Sequence, residues 1–189
     1  MLPRPNPAAA LVAAVACAGT TASAGPLWEA VKDGHTDLDL RFRYETVDQQ
    51  GFPEDAEAVT LRARLGYGTD RLRGFSAYVD FEAILAFSDE DYDSTSNGNT
   101  QYPIVADPKD EEVNQVWLGW DGPRKTKVRL GRQRINLDNE RFVGNSGWRQ
   151  NEQTFDAFTV AGRPSERFAF FAAHLENANR VYGEHHPVP

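Results

Sequence analysis

Arg41 and Arg43, and again Arg62 and Arg64, stand two residues apart, and Asp80 and Glu82 repeat that spacing with the opposite charge. Residues two apart in an extended chain point to the same side, so each pair presents both of its charges together. A guanidinium is a planar fork of donors that matches a carboxylate bidentately. Such a cluster favours anions, and facing a row of carboxylates it sets a field across the space between them. Asp37, Asp39, Glu45, Lys127 and Arg129 share the charged parity of their own segments. The same residues also support a structural alternative, a ladder of cross-strand ion pairs that braces a wall.

A second group lies in the polar run after Ile135. Arg134, Asp138, Glu140, Arg141, Trp148 and Arg149, with Glu152 and Asp156, crowd charges and one large ring into a single connection. Such a loop either folds inward and narrows an enclosed space, or caps it from outside with salt bridges of its own.

Other chemistry finds little support. "DEDYDSTSNGNT", from Asp89, places carboxylates like the start of a calcium loop, but Ser94 and Thr100 occupy the positions that need Gly and Glu. A solvated acidic loop is the better reading. His185 and His186 beside Glu184 are two ligands at a chain end, too few for a metal site. No nucleophile elbow, phosphate loop or zinc spacing is present, so no catalytic residue, metal or cofactor is expected. A formal net charge of -8 argues against nucleic acid as a partner.

The elements that position these residues alternate with period two, the strand signal. "DLDLRFRYE", Asp37 to Glu45, alternates charged and apolar residues without a break. Strands are predicted at about 36–47, 58–68, 75–87, 113–120, 126–135, 155–162 and 167–177. The first three have clear faces: Leu38, Leu40, Phe42 and Tyr44; Val59, Leu61, Ala63, Leu65 and Tyr67; and Phe75, Ala77, Val79, Phe81, Ala83, Leu85 and Phe87. The last two strands leave their faces unassigned. No helical periodicity follows residue 24. In the fifth, Val128 and Leu130 put Arg132 on the apolar parity unless a bulge at Gly131 turns it.

Tight connections, "TDRLRG", "DGPRK" and "RPSE", alternate with longer ones. Transmembrane barrels sort their connections in this way, with short periplasmic turns and long extracellular loops. In hydrocarbon an alternating strand must belong to a closed sheet. The apolar row then faces lipid and the charged row a wet lumen. Tyr67, Phe75 and Trp120 at one end, and Tyr44 and Phe87 at the other, fit interfacial girdles. A soluble sheet with a dry core on one face shows the same alternation.

The N-terminus supports export. Arg4, the apolar run from Ala8 to Ala18 and Ala22-Ser23-Ala24 read as a signal peptide over residues 1–24. The alternative lipoprotein box before Cys17 has Ala14 where Leu is wanted. Residues 25–189 then contain no cysteine and no disulfide.

"LGRQRINLDNERFVGNSGWRQNEQTFDAF", Leu130 to Phe158, resembles the alginate export family of outer-membrane porins, and "HLENANRVYGEHHP", His174 to Pro187, resembles its next stretch. The first strands match in pattern more than in letters. The resemblance implies an all-β, antiparallel transmembrane barrel of sixteen or more strands, of which residues 25–189 supply about seven, the N-terminal part. It implies a Gram-negative outer-membrane channel, with lipid around it and a small or polymeric, uronate-type solute inside, passing by diffusion. On that reading Arg41, Arg43, Arg62, Arg64, Asp80, Glu82, Lys127 and Arg129 line the pore. Two other classes stay open: a soluble periplasmic glycan-binding β-protein, and an outer-membrane barrel enzyme whose catalytic part lies elsewhere.

Overall fold

The computed structural model describes residues 25–87 and 90–183. The segment read as a signal peptide, Asp89 and the Glu184–His185–His186 group lie outside the described residues. Seven strands follow one another in chain order in a single antiparallel sheet: β1 (His35–Val47), β2 (Ala56–Gly68), β3 (Phe75–Ala86), β4 (Asp110–Asp121), β5 (Lys127–Gln133), β6 (Thr154–Ser165) and β7 (Phe168–Asn179). Neighbours in sequence are neighbours in space, so the connections fall alternately at the two ends. The tight ones gather at one end and the long ones at the other, as the sequence predicts.

One element is new. A helix, α1 (Pro26–Lys32), precedes β1 at the short-turn end. Its 7 residues make about two turns, too few for a helical period to show. Pro26 at its start and Lys32 in its last turn suit those positions. Asp70 donates its backbone N–H to the Ala30 carbonyl at 2.8 Å, and the Tyr67 hydroxyl donates to that of Val31.

The two faces of the sheet are inverted relative to a water-soluble protein. Leu38, Leu40 and Phe42 are 69%, 64% and 66% exposed, whereas Arg62, Arg64, Asp80 and Glu82 are buried. A soluble sandwich gains its stability by covering such leucines. Here none of the described residues covers them, and the protein's own loops cover the charges instead. The apolar face is continuous across the register, through Leu38–Leu65–Phe81 and Leu118–Leu130–Phe158. The girdle expected at the short-turn end is present as Phe75 against Trp120, ring centroids 6.4 Å apart. This is the wall of a barrel built for lipid outside and water inside. Among the described residues β1 and β7 each have a strand neighbour on one side only.

Three irregularities matter. Between β3 and β4 the register shifts at Asp80/Phe81, so Asn114 is an extra residue and lies buried with Gln115 opposite Asp80. Between β6 and β7 it shifts at Asp156/Ala157 and again at Gly162/Ser165. The pairing assigns the faces left open by the sequence. Phe155, Ala157 and Thr159 share the charged face with Leu175 and Ala173, while Phe158 and Val160 lie on the lipid side with His174 and Ala172.

Arg132 keeps the parity of Leu130, because the register passes through Gly131 without a shift. No bulge forms there. Gly131 adopts φ 123° instead, and a Cβ on it would meet the Val116 carbonyl oxygen at 2.3 Å. Arg132 is buried at the long-loop end of β5, its Nε 3.0 Å from Asp156 Oδ1 and its Nη1 donating to the Val113 carbonyl at 2.9 Å. A paired arginine near the rim is tolerated where one at mid-membrane is not.

Candidate functional site

The register sets Arg41 directly opposite Arg62, and Arg64 opposite both Asp39 on β1 and Glu82 on β3. Like charges opposite one another repel, and the site answers by giving each guanidinium partners. Arg62 Nη2 lies 2.5 Å from Asp39 Oδ1. Arg64 pairs with Glu82 through Nε and with Glu152 through Nη1, the latter at 3.2 Å. Arg43 lies 2.5 Å from Glu45 Oε2 and 3.4 Å from Asp107 Oδ2. Among the described residues Arg41 has no carboxylate in ion-pair contact but donates to the carbonyls of Gly147 at 2.8 Å, Arg149 at 3.1 Å and Trp148.

Those carbonyls belong to residues 134–153, the loop after β5. It lies across the charged face rather than outside it. Its foot is a small apolar cluster in which Leu137 and Val143 pack on Ile135, Phe155 and Ala157. Its centre is Glu152, buried, which accepts from Asn114 at 2.8 Å, from Asn145 at 2.7 Å and from Arg134. The Gln150 side chain, also buried, donates to Thr60 Oγ1 at 2.8 Å and to the Arg41 carbonyl at 3.2 Å, and its backbone carbonyl accepts from Arg62 at 3.2 Å. Its backbone N–H donates to Asp107 Oδ1 at 3.0 Å.

Asp107 ties in the loop after β3. That loop folds inward over Ala56 and Ala58 with Tyr92 and Val105 fully buried. It is therefore more than the solvated acidic loop expected from its composition. Tyr92 donates to the Asp107 carbonyl at 3.1 Å. Burial, and then the nearby Glu90 and Asp107 carboxylates, push its phenol pKa up.

The residues assigned to the loop after β5 divide in two. Arg134 meets Glu152 and lies 3.6 Å from Asp80, and Arg149 lies 3.5 Å from Glu45. The Trp148 ring is half exposed and receives the guanidinium carbons of Arg149 at 4.1 Å and Arg43 at 5.5 Å. Asp138, Glu140 and Arg141 instead form an exposed tip, where Glu140 accepts from Asn136 at 3.1 Å and Arg141 lies over Phe142. Beside the Glu152 hub a cleft of about 410 Å³ is lined by Asp39, Arg62, Arg64, Tyr78, Asp80 and Arg134, among others.

Lys127 and Arg129 stand apart from this network, at the short-turn end of the charged face with Tyr78 and Trp117. Sequence reasoning missed Asp107, Asn114, Gln150 and Trp117. The first was one acid among many, and the next two are polar residues without a pattern. Trp117 had a signal: Gly119 stands two residues on, on the same parity of β4, and a Cβ there would meet the Trp117 ring at 3.0 Å.

An apolar outer face, a charged inner face and loops laid across the inner one are those of part of a β-barrel wall. Residues 36–175 match the alginate export family, and the chain belongs to it. That is a transport family of Gram-negative outer membranes. The match takes in the first strands as well as the later ones and ends at Leu175, so only His174 and Leu175 of the stretch His174 to Pro187 lie inside it. No curated protein matches the chain.

Proposed function

We propose that this chain forms part of the wall of an outer-membrane channel through which anionic, uronate-type solutes pass by diffusion, with further strands completing the barrel. The observation that carries the reading is the loop 134–153, held across the charged face by Arg41, Arg43, Arg62 and Arg64. A loop on the lumen side narrows a pore, and a narrow pore is where fixed charge selects. These four arginines then have two jobs, lining the wall and seating the loop. Asp80 and Glu82 balance part of their charge, while Arg134, Arg149, Lys127 and Arg129 lie along the path of the solute.

The test uses the channel extracted in detergent from outer membranes and placed in planar bilayers under a salt gradient. Reversal potentials should show anion preference at low salt that fades as salt rises. Cation preference at low salt, or recovery of the protein as a soluble periplasmic monomer, would overturn the reading.

A further inference from the structure

The wall arginines of β1 and β2 are tied to carboxylates or to loop carbonyls. At the short-turn end of the same face the situation is reversed. His35, Tyr78, Trp117 and Arg129 follow one another from β1 to β5. The His35 and Tyr78 ring centroids are 6.4 Å apart with planes at 29°, and those of Tyr78 and Trp117 are 5.5 Å apart at 21°. The Arg129 guanidinium carbon lies 4.4 Å from the centre of the Trp117 ring.

Glycines make room for this row. A Cβ on Gly68 would meet His35 at 2.4 Å, one on Gly66 the Tyr78 hydroxyl at 2.3 Å, and one on Gly119 the Trp117 ring at 3.0 Å. The rings therefore lean across the wall over positions that no other residue type leaves open. With Lys127 and Arg129 they line a cleft of about 470 Å³. That is within the range of small-ligand sites, roughly 300–1,000 Å³.

The Arg129 side chain, half-buried against the indole, makes no hydrogen bond or ion pair among the described residues, and neither does that of Lys127. Asp121, the acid of the cleft on β4, is taken up by Arg71 at 2.6 Å. A guanidinium held over a ring with its donors unused is available to an acceptor. Asp33 and Asp70 also line the cleft, so a compact, multiply charged anion is repelled. A sugar ring with one carboxylate suits all of these groups: its carboxylate meets Arg129 and Lys127, its C–H surface meets the aromatic row, and its hydroxyls donate to the acids.

We propose that this cleft is a docking subsite for one carboxylated sugar unit at the periplasmic mouth of the channel, where a uronate chain is first held before it threads toward the loop 134–153. The proposal rests on the channel reading above.

The test measures ion-current block by a short oligouronate added separately to each side of the bilayer, with a neutral oligosaccharide of equal length as control. Arg129→Gln and Lys127→Gln should each slow block from the short-turn side by about tenfold, the size expected for losing one charged contact. Block from the long-loop side should stay as in the unaltered protein. Lys125→Gln removes a charge at the same end but outside the cleft and should change nothing. Trp117→Phe should weaken oligouronate block less than Arg129→Gln. If the unaltered channel is blocked by oligouronate but Arg129→Gln and Lys127→Gln behave like it from both sides, the subsite is wrong and the channel reading stands. If oligouronate neither blocks nor passes the unaltered channel from either side, both fail.

Discussion

Replacing Glu152 by Gln removes one charge from the centre of the seated loop without changing the size of the side chain. Glu152 accepts from Asn114 at 2.8 Å and Asn145 at 2.7 Å, pairs with Arg134, and lies 3.2 Å from Arg64. A glutamine keeps one oxygen, an acceptor for one of the two amides, and no charge for the two guanidinium groups. A hydrogen bond to a charged group contributes about 1.5–3 kcal/mol, and breaking a buried pair costs about 3–5 kcal/mol. Arg64 keeps Glu82, and Arg134 keeps Asp80 at 3.6 Å, so the loss falls toward the low end. About 2–3 kcal/mol is a factor of about 30–150 in the equilibrium between seated and released loop. Trypsin reads that equilibrium, because the bond after Arg149 leads into Gln150, which is 0% exposed and cannot be cut while the loop is seated. Arg141 at the exposed tip is the internal control. Cleavage after Arg149 should speed up by about that factor in the variant, with cleavage after Arg141 unchanged, and single-channel current should become noisier. Equal rates at Arg149 in the two proteins would show that Glu152 does not hold the loop.

Leu40, 64% exposed on the lipid face of β1, should tolerate Phe but lose about 2–4 kcal/mol of folded barrel on replacement by Arg, read as a lower urea midpoint in detergent micelles. An unchanged midpoint would mean that this face does not meet hydrocarbon. Tyr92→Phe should cost about 1 kcal/mol near neutral pH through loss of the bond to the Asp107 carbonyl, 3.1 Å long. The native phenol pKa is raised by burial, so the neutral form is the one the folded loop favours. Its stabilisation is complete below about pH 10 and is lost as pH rises through the higher folded value. The Phe variant should therefore show the shallower alkaline loss of stability, and equal slopes would contradict the burial of that hydroxyl.

The sequence by itself determined the strands and, for the first three, their faces. Alternation is a local property: once "DLDLRFRYE" is extended, Leu38 and Phe42 must lie on one side and Arg41 and Arg43 on the other, whatever else the chain does. Parity carried as far as Arg132, which keeps the face that Val128 and Leu130 dictate. The sorting of short and long connections was local too, since an antiparallel meander places alternate connections at alternate ends. The helix α1 was too short for its period to show, and the faces of β6 and β7 depended on pairing with β5 and on the shifts near Asp156 and Gly162.

What only the tertiary structure decided is which partner each charge receives. Arg41 reaches Gly147 across 106 residues, and Gln150 reaches Thr60 across 90. Nothing in the spacing of either segment encodes that meeting. It follows from the inward turn of the loop after β5 onto Ile135, Phe155 and Ala157, and from the bulge that brings Asn114 beside Asp80. The same distinction separates the arginines of the charged face. Arg64 and Arg129 share its parity. One is enclosed between Glu82 and Glu152 while the other lies on Trp117 without an acceptor among the described residues, because burial and pairing depend on what folds back over a residue, and parity says only which way it points.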